Sequence, residues 1–269
     1  RTLPEKLHGL QDIETKVRQR HLDLIANPDT KKTFEMRSKT LSKLREYMEE
    51  SEFLEVETPM LHPIPGGASA RPFVTHHNSL DQEMFLRIAP ELYLKRLIVG
   101  GFERVFEINR SFRNEGLSTR HNPEFTMMEF YAAYTDYKWL MNFVEEMLLR
   151  ITTSVLGTST IIFQDHEIDF KKKFNRLTIL EALQRVLSDE DKVCLSDISM
   201  MKKLLSKHVN KDGNKFSTYD NLAILQYKLF ECIAEESLIE PTFIIDYPVE
   251  VSPLARVSDT NSEITERFE

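Results

Sequence analysis

The feature that most constrains the fold of this chain is a pair of apolar runs separated by a long polar loop, within residues 104–134. In the first run apolar and polar side chains alternate, and only Arg110 interrupts the apolar face, which predicts a half-buried strand. The second run, residues 124–134, is predicted to be its partner strand. Period-two alternation places four of its side chains together on one face: Phe125, Met127, Glu129 and Tyr131. Residues 114–123 then form a polar loop at one end of this strand pair.

The remaining patterns predict helices and short strands in irregular order. Helices are predicted at residues 29–50, with Asp29 or Thr30 as N-cap, and at 91–99, 138–156, 178–187, 197–209 and 218–239. Strands are predicted at 53–61, 73–76, 84–88, 241–247 and 264–269, and a hairpin at 161–170 around Asp165 and His166. Because Pro59 lacks the N–H that a central strand must donate, residues 53–61 are expected at a sheet edge or an interface.

The composition is that of an ordinary globular protein. The 269 residues include 35 Lys+Arg and 43 Asp+Glu, for a net charge of −8, and 17 Phe can supply a core. The longest stretch without Asp, Glu, Lys or Arg, residues 151–164, is shorter than the roughly 18 residues that a membrane span needs. With two cysteines and no apolar leader, a reducing cytoplasm is expected. The sequence lacks an initiator Met and stops inside a predicted strand, so we expect further sequence on both sides.

Several common catalytic motifs are absent from the sequence. It has no GxxxxGK[ST] loop, no GxGxxG after a strand, no HExxH, no CxxC pair and no GxSxG, which argues against a Walker or Rossmann nucleotide site. The residues that remain are guanidinium, carboxylate and aromatic groups near the predicted strand pair. Such groups can hold a phosphate, a cation and a flat base, respectively. The candidates are Arg113, Phe125, Glu129, Tyr131, Glu115 in the adjoining loop and Glu91 at a helix start.

Each candidate also has a structural interpretation. Arg113 and Glu115 can form a solvated turn pair, Phe125 and Tyr131 can be core residues, and His121 can simply be exposed. Glu129 is harder to explain in this way because an unpaired charge in an apolar strand is unfavourable. A cationic partner is therefore expected, either Arg113 as a structural partner or a bound cation as a ligand. The residue pattern alone leaves these two alternatives open.

The order of several short stretches resembles the class II aminoacyl-tRNA synthetases. Residues 112–115 and 120–129, which include Arg113 and Arg120, resemble motif 2, and residues 53–61 with Pro59 resemble motif 1, the dimer-interface element. Residues 66–73, 89–97 and 250–256 are similar to the lysine-specific branch, and residues 18–24 to the segment that leads into its catalytic domain. Any one stretch is a weak signal, but together they follow the family's order along essentially the whole chain.

The resemblance implies an α+β fold with a mostly antiparallel sheet flanked by helices. It also implies residues 1–28 as a linker from an N-terminal anticodon-binding domain and residues 29–269 as a catalytic domain that is truncated at its C-terminus. Within that domain, the predicted helices between polar linkers indicate a helical insertion at residues 174–239. Such enzymes activate an amino acid with ATP before transferring it to tRNA. Here the resemblance implies lysine and tRNA(Lys) as substrates, ATP, Mg²⁺ and a homodimer formed through motif 1. No membrane partner is expected, because the longest uncharged stretch is too short to span one.

The same resemblance implies a role for each candidate residue. Arg113 would be the catalytic residue that binds the α-phosphate and the amino-acid carboxylate, Glu115 and His121 would contact ATP, and Phe125 would stack on adenine. The lysine-binding residues would be Gly67 and Glu91 at the α-amino group and Glu129 and Tyr131 at the side chain. No metal ligand is expected before Glu269, because the family's acidic Mg²⁺ ligands and motif 3 would follow it. We therefore expect this chain alone not to form lysyl-adenylate at a useful rate.

Three alternatives to a lysine-specific tRNA synthetase are considered. A synthetase paralogue that lysylates elongation factor P also lacks the anticodon-binding domain. Aspartate and asparagine synthetases share motifs 1 and 2, but Glu91 and Glu129 suit a cationic ligand better. A third alternative is a non-catalytic, synthetase-like dimerisation module, which would need no motif 3.

Overall fold

Strands β5 (Arg104–Phe112) and β6 (Glu124–Ala132) form the antiparallel pair predicted from the alternation. They are seen in a computed structural model, which describes residues 10–118, 121–208 and 219–269. The register places Phe106 opposite Phe130 and Glu107 opposite Glu129. Strand β1 (Leu54–Glu55) pairs with the other edge of β5 in parallel, so the sheet order is β1-β5-β6. The loop end of this pair carries the residues predicted to contact ATP, and Glu129 and Tyr131 lie farther along β6.

The half-buried interpretation of β5 is wrong. Val105, Phe106 and Glu107 are consecutive and all are buried, and Ser111 on the predicted polar face is also only 1% exposed. Both faces of β5 are therefore covered near its start. The polar face can be buried because Glu107 has a cationic partner, Arg87, which the alternation pattern does not show.

The predicted strand at residues 53–61 is interrupted. Only β1 and β2 (Leu61–His62) are strands, and they belong to different sheets. Between them, Pro59 has no N–H to donate, and the Thr58 N–H and hydroxyl bond to the Glu107 carboxylate at 3.2 and 2.6 Å instead of to a neighbouring strand. Strand β2 pairs with β4 (Gln82–Leu86), which also pairs with β3 (Val74–His77), and both pairings are antiparallel.

The described residues of the first compact unit, which ends at Tyr134, form four helices, of which the last two begin and end close to the predicted residues and the first two were not predicted. They are α1 (Ile13–Arg18), α2 (Arg20–Ala26), α3 (Pro28–Glu50) and α4 (Glu91–Val99). Helix α3 starts before the predicted Asp29 because Asn27 is the N-cap and Pro28 takes the first helical position, where its missing N–H is not needed. Helix α4 has the predicted bounds and is followed by Gly100 and Gly101.

The second compact unit runs from Thr135 to Glu269. Its helices are α5 (Tyr137–Leu156), α6 (Ile179–Val186), α7 (Asp189–Lys192), α8 (Ile198–His208) and α9 (Leu222–Leu229). Its strands are β7 (Thr160–Phe163), β8 (His166–Asp169), β9 (Asn175–Thr178) and β10 (Thr242–Ile245). Strands β7 and β8 form the predicted hairpin, but its turn lies one residue earlier, at Gln164 and Asp165, both with positive φ. Strand β9, which was not predicted, pairs with β10 in parallel.

Two predictions for this second unit are wrong in part. The helix predicted at 218–239 divides into α9, a π-helical turn (Phe230–Ala234) and a 3-10 turn (Glu235–Ser237), while its first residue lies outside the described residues, as does Val209. Residues 264–269 form only isolated bridges, such as Ile245 to Phe268. The reason is a local bond from the Arg267 N–H to the Thr265 carbonyl, 2.8 Å long, which interrupts the ladder.

The helices after β9 share one apolar core. It includes Leu183 of α6, Leu205 of α8 and Leu225 of α9, all fully buried, together with Ile244 of β10. Helix α6 is fixed at its start by a capping box, in which Thr178 and Glu181 satisfy each other's backbone N–H groups. The bounds 1–28, 29–269 and 174–239 remain predictions. No helix among the described residues is long and apolar enough to cross a membrane.

A buried ion pair fastens the elements around β5. Arg87 and Glu107 are each 1% exposed, and the Arg87 Nη1 lies 2.7 Å from the Glu107 Oε1. The Arg87 Nε donates to the Arg110 carbonyl at 2.8 Å, and its Nη1 donates to the Thr58 hydroxyl at 3.0 Å. The Asn109 side chain donates to Glu107 at 3.2 Å. This network joins the end of β4, strand β5 and the segment between β1 and β2.

We predict that Glu107→Gln destabilises the fold by about 3–5 kcal/mol, because it leaves the Arg87 guanidinium buried without its counter-charge. The measurement is the free energy of unfolding of this chain in urea. Glu35→Gln is the matched control, since Glu35 pairs with Lys31 at the surface, with 64% of its side chain exposed. The control should change stability by less than about 0.5 kcal/mol. Equal, small effects of both variants would contradict a structural role for the buried pair.

Candidate active site

The four residues predicted to contact ATP line one cavity. Its volume is about 390 Å³, and its lining consists of Arg113, Glu115, Gly116, His121, Asn122 and Phe125. Arg113 follows the last residue of β5, and Phe125 is the second residue of β6, so the strand pair brings them together. The two loop residues come from the connection between these strands. The structure thus places all four predicted side chains around the same space.

Arg113 has an unused donor in this cavity. Its guanidinium carbon lies 5.2 Å from the centre of the Phe125 ring, and its backbone N–H donates to the Pro123 carbonyl at 2.9 Å. Its Nε is buried and has no hydrogen-bond partner among the described residues. A buried donor without an acceptor is unfavourable unless a ligand supplies one. This guanidinium is therefore available to an anionic group.

Glu115 and His121 are exposed residues whose contacts lie within the loops. The Glu115 Oε1 accepts from the Arg71 backbone N–H at 3.4 Å and forms no ion pair with Arg113 in the part of the chain that the structure describes, so the turn-pair interpretation is wrong. The His121 Nδ1 lies 2.8 Å from the Ser118 hydroxyl. Arg120, which belongs to the motif 2 resemblance, lies outside the described residues.

Gly67 packs closely against the start of α4. Its φ is +89°, a conformation that residues with a Cβ rarely adopt. A Cβ at this position would lie 3.1 Å from the Glu91 Cβ and 3.3 Å from the Ala89 Cβ. Glycine is therefore required here both by the backbone angle and by the close approach. The contact brings together two residues predicted to hold the α-amino group of lysine, Gly67 and Glu91.

Glu129 and Tyr131 form a half-buried polar pair on β6. The Tyr131 hydroxyl donates to the Glu129 Oε2 at 3.0 Å. Burial raises the pKa of Glu129, and the charges of Glu91 and Glu107 raise it further, while the bond from Tyr131 acts in the opposite direction. Burial and the charge of Glu129 also raise the pKa of Tyr131, so its hydroxyl stays protonated and donates.

The position of Glu129 bears on the alternative that the sequence left open. Arg113 stacks on Phe125, and no basic side chain among the described residues forms an ion pair with Glu129. Arg87 lowers the pKa of Glu129 through its charge, but its guanidinium bonds to Glu107. A half-buried carboxylate without a salt-bridge partner is suited to bind a cation.

Three further residues of this region were not singled out from the sequence. Arg87 and Glu107 form the buried pair beside Glu129, and Lys95 bonds to Glu91 with 2.5 Å between its Nζ and the Oε1. Period two could have indicated Glu107, since it lies on the same face of β5 as Asn109 and Arg113. Lys95 could have been found from its spacing of four residues from Glu91 on a helix.

The described residues do not form a metal site of His, Cys, Asp and Glu side chains. Among them, no group of three or more His, Cys, Asp or Glu side chains could hold a metal ion. Two carboxylates of the site already bond to basic side chains, Glu107 to Arg87 and Glu91 to Lys95. The site therefore contains two carboxylates that are paired with cationic side chains, one carboxylate, Glu129, that is not paired among the described residues, and the Arg113 guanidinium with its unpaired Nε.

The model of the family described as tRNA synthetases class II (D, K and N) matches residues 12–269. The chain belongs to this family. The described architecture, with mostly antiparallel strand pairs and flanking helices, agrees with the α+β fold that was expected. The letters D, K and N denote aspartate, lysine and asparagine, so membership alone does not select the amino acid.

Within this family, the chain is similar to proteins named lysine-tRNA ligase. The chain is 60% identical over 269 residues to the lysine-tRNA ligase of Burkholderia cenocepacia (strain HI2424). It is 58% identical to that of Paraburkholderia phytofirmans (strain DSM 17436 / LMG 22146 / PsJN). Each match covers 100% of this chain but only 53% and 52% of the relative, respectively. The chain therefore spans about half the length of the curated relatives that it matches.

We predict that Glu129→Gln stabilises the fold at pH 7. The raised pKa means that folded Glu129 holds its proton more tightly than unfolded Glu129, whose pKa is about 4.3. Its contribution to stability is therefore full below that value and is lost as the pH rises through the folded pKa. The measurement is the free energy of unfolding of both proteins between pH 3 and pH 8.

The stability difference between the variant and the natural sequence should disappear at low pH. Glu83→Gln is the control, because Glu83 is an exposed strand residue. The amide that replaces the Glu129 carboxylate can still accept the bond from Tyr131, so the variant removes the charge and little else. A variant that is less stable than the natural sequence at pH 7 would show that burial does not disfavour the Glu129 charge.

Proposed function

We propose that the whole protein carrying this chain activates lysine with ATP and transfers it to tRNA(Lys). The observation that carries this proposal is Glu129, a half-buried carboxylate without a salt-bridge partner among the described residues, beside a second carboxylate, Glu91. Lysine differs from most amino acids in having an ammonium group on its side chain, which Glu129 would pair with. Aspartate in the same pocket would bring a like charge toward two carboxylates.

The nucleotide would occupy the cavity at the loop end of the strand pair. The Arg113 Nε, which is buried and has no partner in the part of the chain that the structure describes, would donate to the α-phosphate, and adenine would stack on the ring of Phe125. Glu115 and His121 would contact ATP from the loop. The rest of the support is the likeness to relatives named as lysine-tRNA ligases.

The chemistry would be an in-line displacement at the α-phosphorus. One carboxylate oxygen of lysine forms a bond to phosphorus, the bond from phosphorus to the oxygen bridging to the β-phosphate breaks, and pyrophosphate leaves. The lysine carboxylate is the nucleophile, so the protein contributes positioning and charge stabilisation. Arg113 would stabilise the negative charge that develops on the α-phosphate oxygens. The family's Mg²⁺ remains a proposal, and no residue of this chain is assigned to it.

A tRNA acceptor is proposed in preference to a protein acceptor. The relatives that resemble this chain over its whole length carry the name lysine-tRNA ligase, which names tRNA as their acceptor. We also propose a cytoplasmic location, supported by two cysteines that are both free, Cys194 and Cys232.

The proposed activity is tested by amino-acid-dependent exchange of pyrophosphate into ATP, with the whole protein and each common amino acid. We expect exchange with lysine alone. Glu129→Gln should raise the KM for lysine about 10-fold or more and leave the KM for ATP within about 2-fold, since a charged hydrogen bond contributes about 1.5–3 kcal/mol. Glu83→Gln is the control. Exchange with aspartate or asparagine, or with no amino acid, would contradict the proposal.

We further propose that the protein forms a homodimer through α3 and the segment after it. Four large apolar side chains on these elements are 44–48% exposed: Phe34, Met36, Leu54 and Leu61. Exposed apolar groups in neighbouring elements are typical of an interface. Sedimentation velocity should give the mass of a dimer at micromolar concentration, and Leu54→Glu should shift it toward the monomer. A monomer in both cases would contradict the proposal.

A further inference from the structure

Lys95 places a primary ammonium group inside the proposed lysine pocket. Its Nζ lies 2.5 Å from the Glu91 Oε1 and 6.0 Å from the centre of the Tyr131 ring. Glu91 is on the same helix, α4, but Tyr131 is on β6, so the side chain reaches across to the strand that carries Glu129. The chain's own ammonium group thus contacts Glu91, the carboxylate that the family resemblance predicts to bind the α-ammonium of the substrate.

The two partners in this ion pair are held differently. The main chain at Glu91 is fixed because α4 begins there and Gly67 packs against its Cβ at close range. Lys95 has a flexible stem, and 55% of its side chain is exposed, against 30% for Glu91. An exposed pair four residues apart on a helix is weak. Lys95 can therefore leave Glu91 for solvent without disturbing the fold.

We propose that Lys95 is a tethered competitor, whose ammonium group occupies Glu91 until the α-ammonium of the substrate displaces it. The inference rests on the proposed function. Exchange of one ammonium for another keeps Glu91 compensated before and after binding, so the empty pocket never holds two uncompensated carboxylates, Glu91 and Glu129. The same exchange lowers the affinity for lysine, because each binding event must first break the internal pair.

The experiment measures the Kd of L-lysine by calorimetry with the whole protein. Removing the competitor in Lys95→Met should lower this Kd about 2- to 5-fold, the range that an exposed ion pair supports. Lys95→Arg keeps a positive charge and should bind like the natural sequence. Lys31→Met is the matched control, since Lys31 also pairs with a glutamate four residues away, Glu35, at the surface of α3.

A second ligand separates displacement from a general change of charge. 6-Aminohexanoate is lysine without its α-ammonium group, so it has nothing to exchange at Glu91. Its Kd should be the same for Lys95→Met and the natural sequence. An equal gain for both ligands would overturn the proposal, as would a Kd for lysine that is unchanged or higher in Lys95→Met.

Failure of the proposed function gives a different result. In that case the natural sequence itself binds no lysine in calorimetry and supports no lysine-dependent exchange. Thermal unfolding checks that each variant is folded, and Lys95→Gln, which removes the charge but keeps a polar side chain, replaces Lys95→Met if that variant unfolds. A normal Kd for lysine in the natural sequence together with an unchanged Kd in Lys95→Gln overturns the inference about Lys95 alone.

Discussion

The buried ion pair between Arg87 and Glu107 is the interaction on which the first compact unit depends. Both side chains are 1% exposed, and neither charge would be tolerated there without the other. Arg87 follows β4 and also bonds to the Arg110 carbonyl of β5, while Glu107 accepts both donors of Thr58. Three segments that are distant in sequence are thereby held in one arrangement. The interruption of the predicted strand at residues 53–61 is a direct consequence, since the donors of Thr58 serve Glu107.

The same pair sets the electrostatics of the candidate site. Glu107 lies opposite Glu129 in the register of β5 and β6, so their side chains share one face of the sheet. Two uncompensated carboxylates side by side would repel each other, but Arg87 compensates Glu107. The Glu129 carboxylate remains without a compensating charge among the described residues. Burial and its acidic neighbours raise the pKa of Glu129. A positively charged ligand would compensate the Glu129 carboxylate. Because Arg87 is bonded to Glu107, the buried ion pair leaves Glu129 free to select a cationic substrate.

Sequence patterns predicted the elements in which one periodicity dominates. Helix α4 and strands β5 and β6 were predicted because their apolar spacing is regular and Gly100 marks a helix end. The patterns failed where a side chain overrides the local preference. Glu107 looks like a surface residue until Arg87 is placed beside it, and Arg87 is 20 residues away in sequence. The roles of Arg113, Phe125 and Glu129 came from a family resemblance, and periodicity alone could not separate a ligand for Glu129 from a structural partner.

Strand β6 carries residues of both the nucleotide end and the amino-acid end of the candidate site. Phe125 and Glu129 are four residues apart on β6, which at about 3.3 Å per residue is about 13 Å along the strand. Because four is an even number, both side chains lie on the same face, and Tyr131 joins them there. A shift of the register by one residue would turn all three to the opposite face. The pairing of β5 with β6 therefore fixes the face of the sheet on which the nucleotide and amino-acid ends of the site lie.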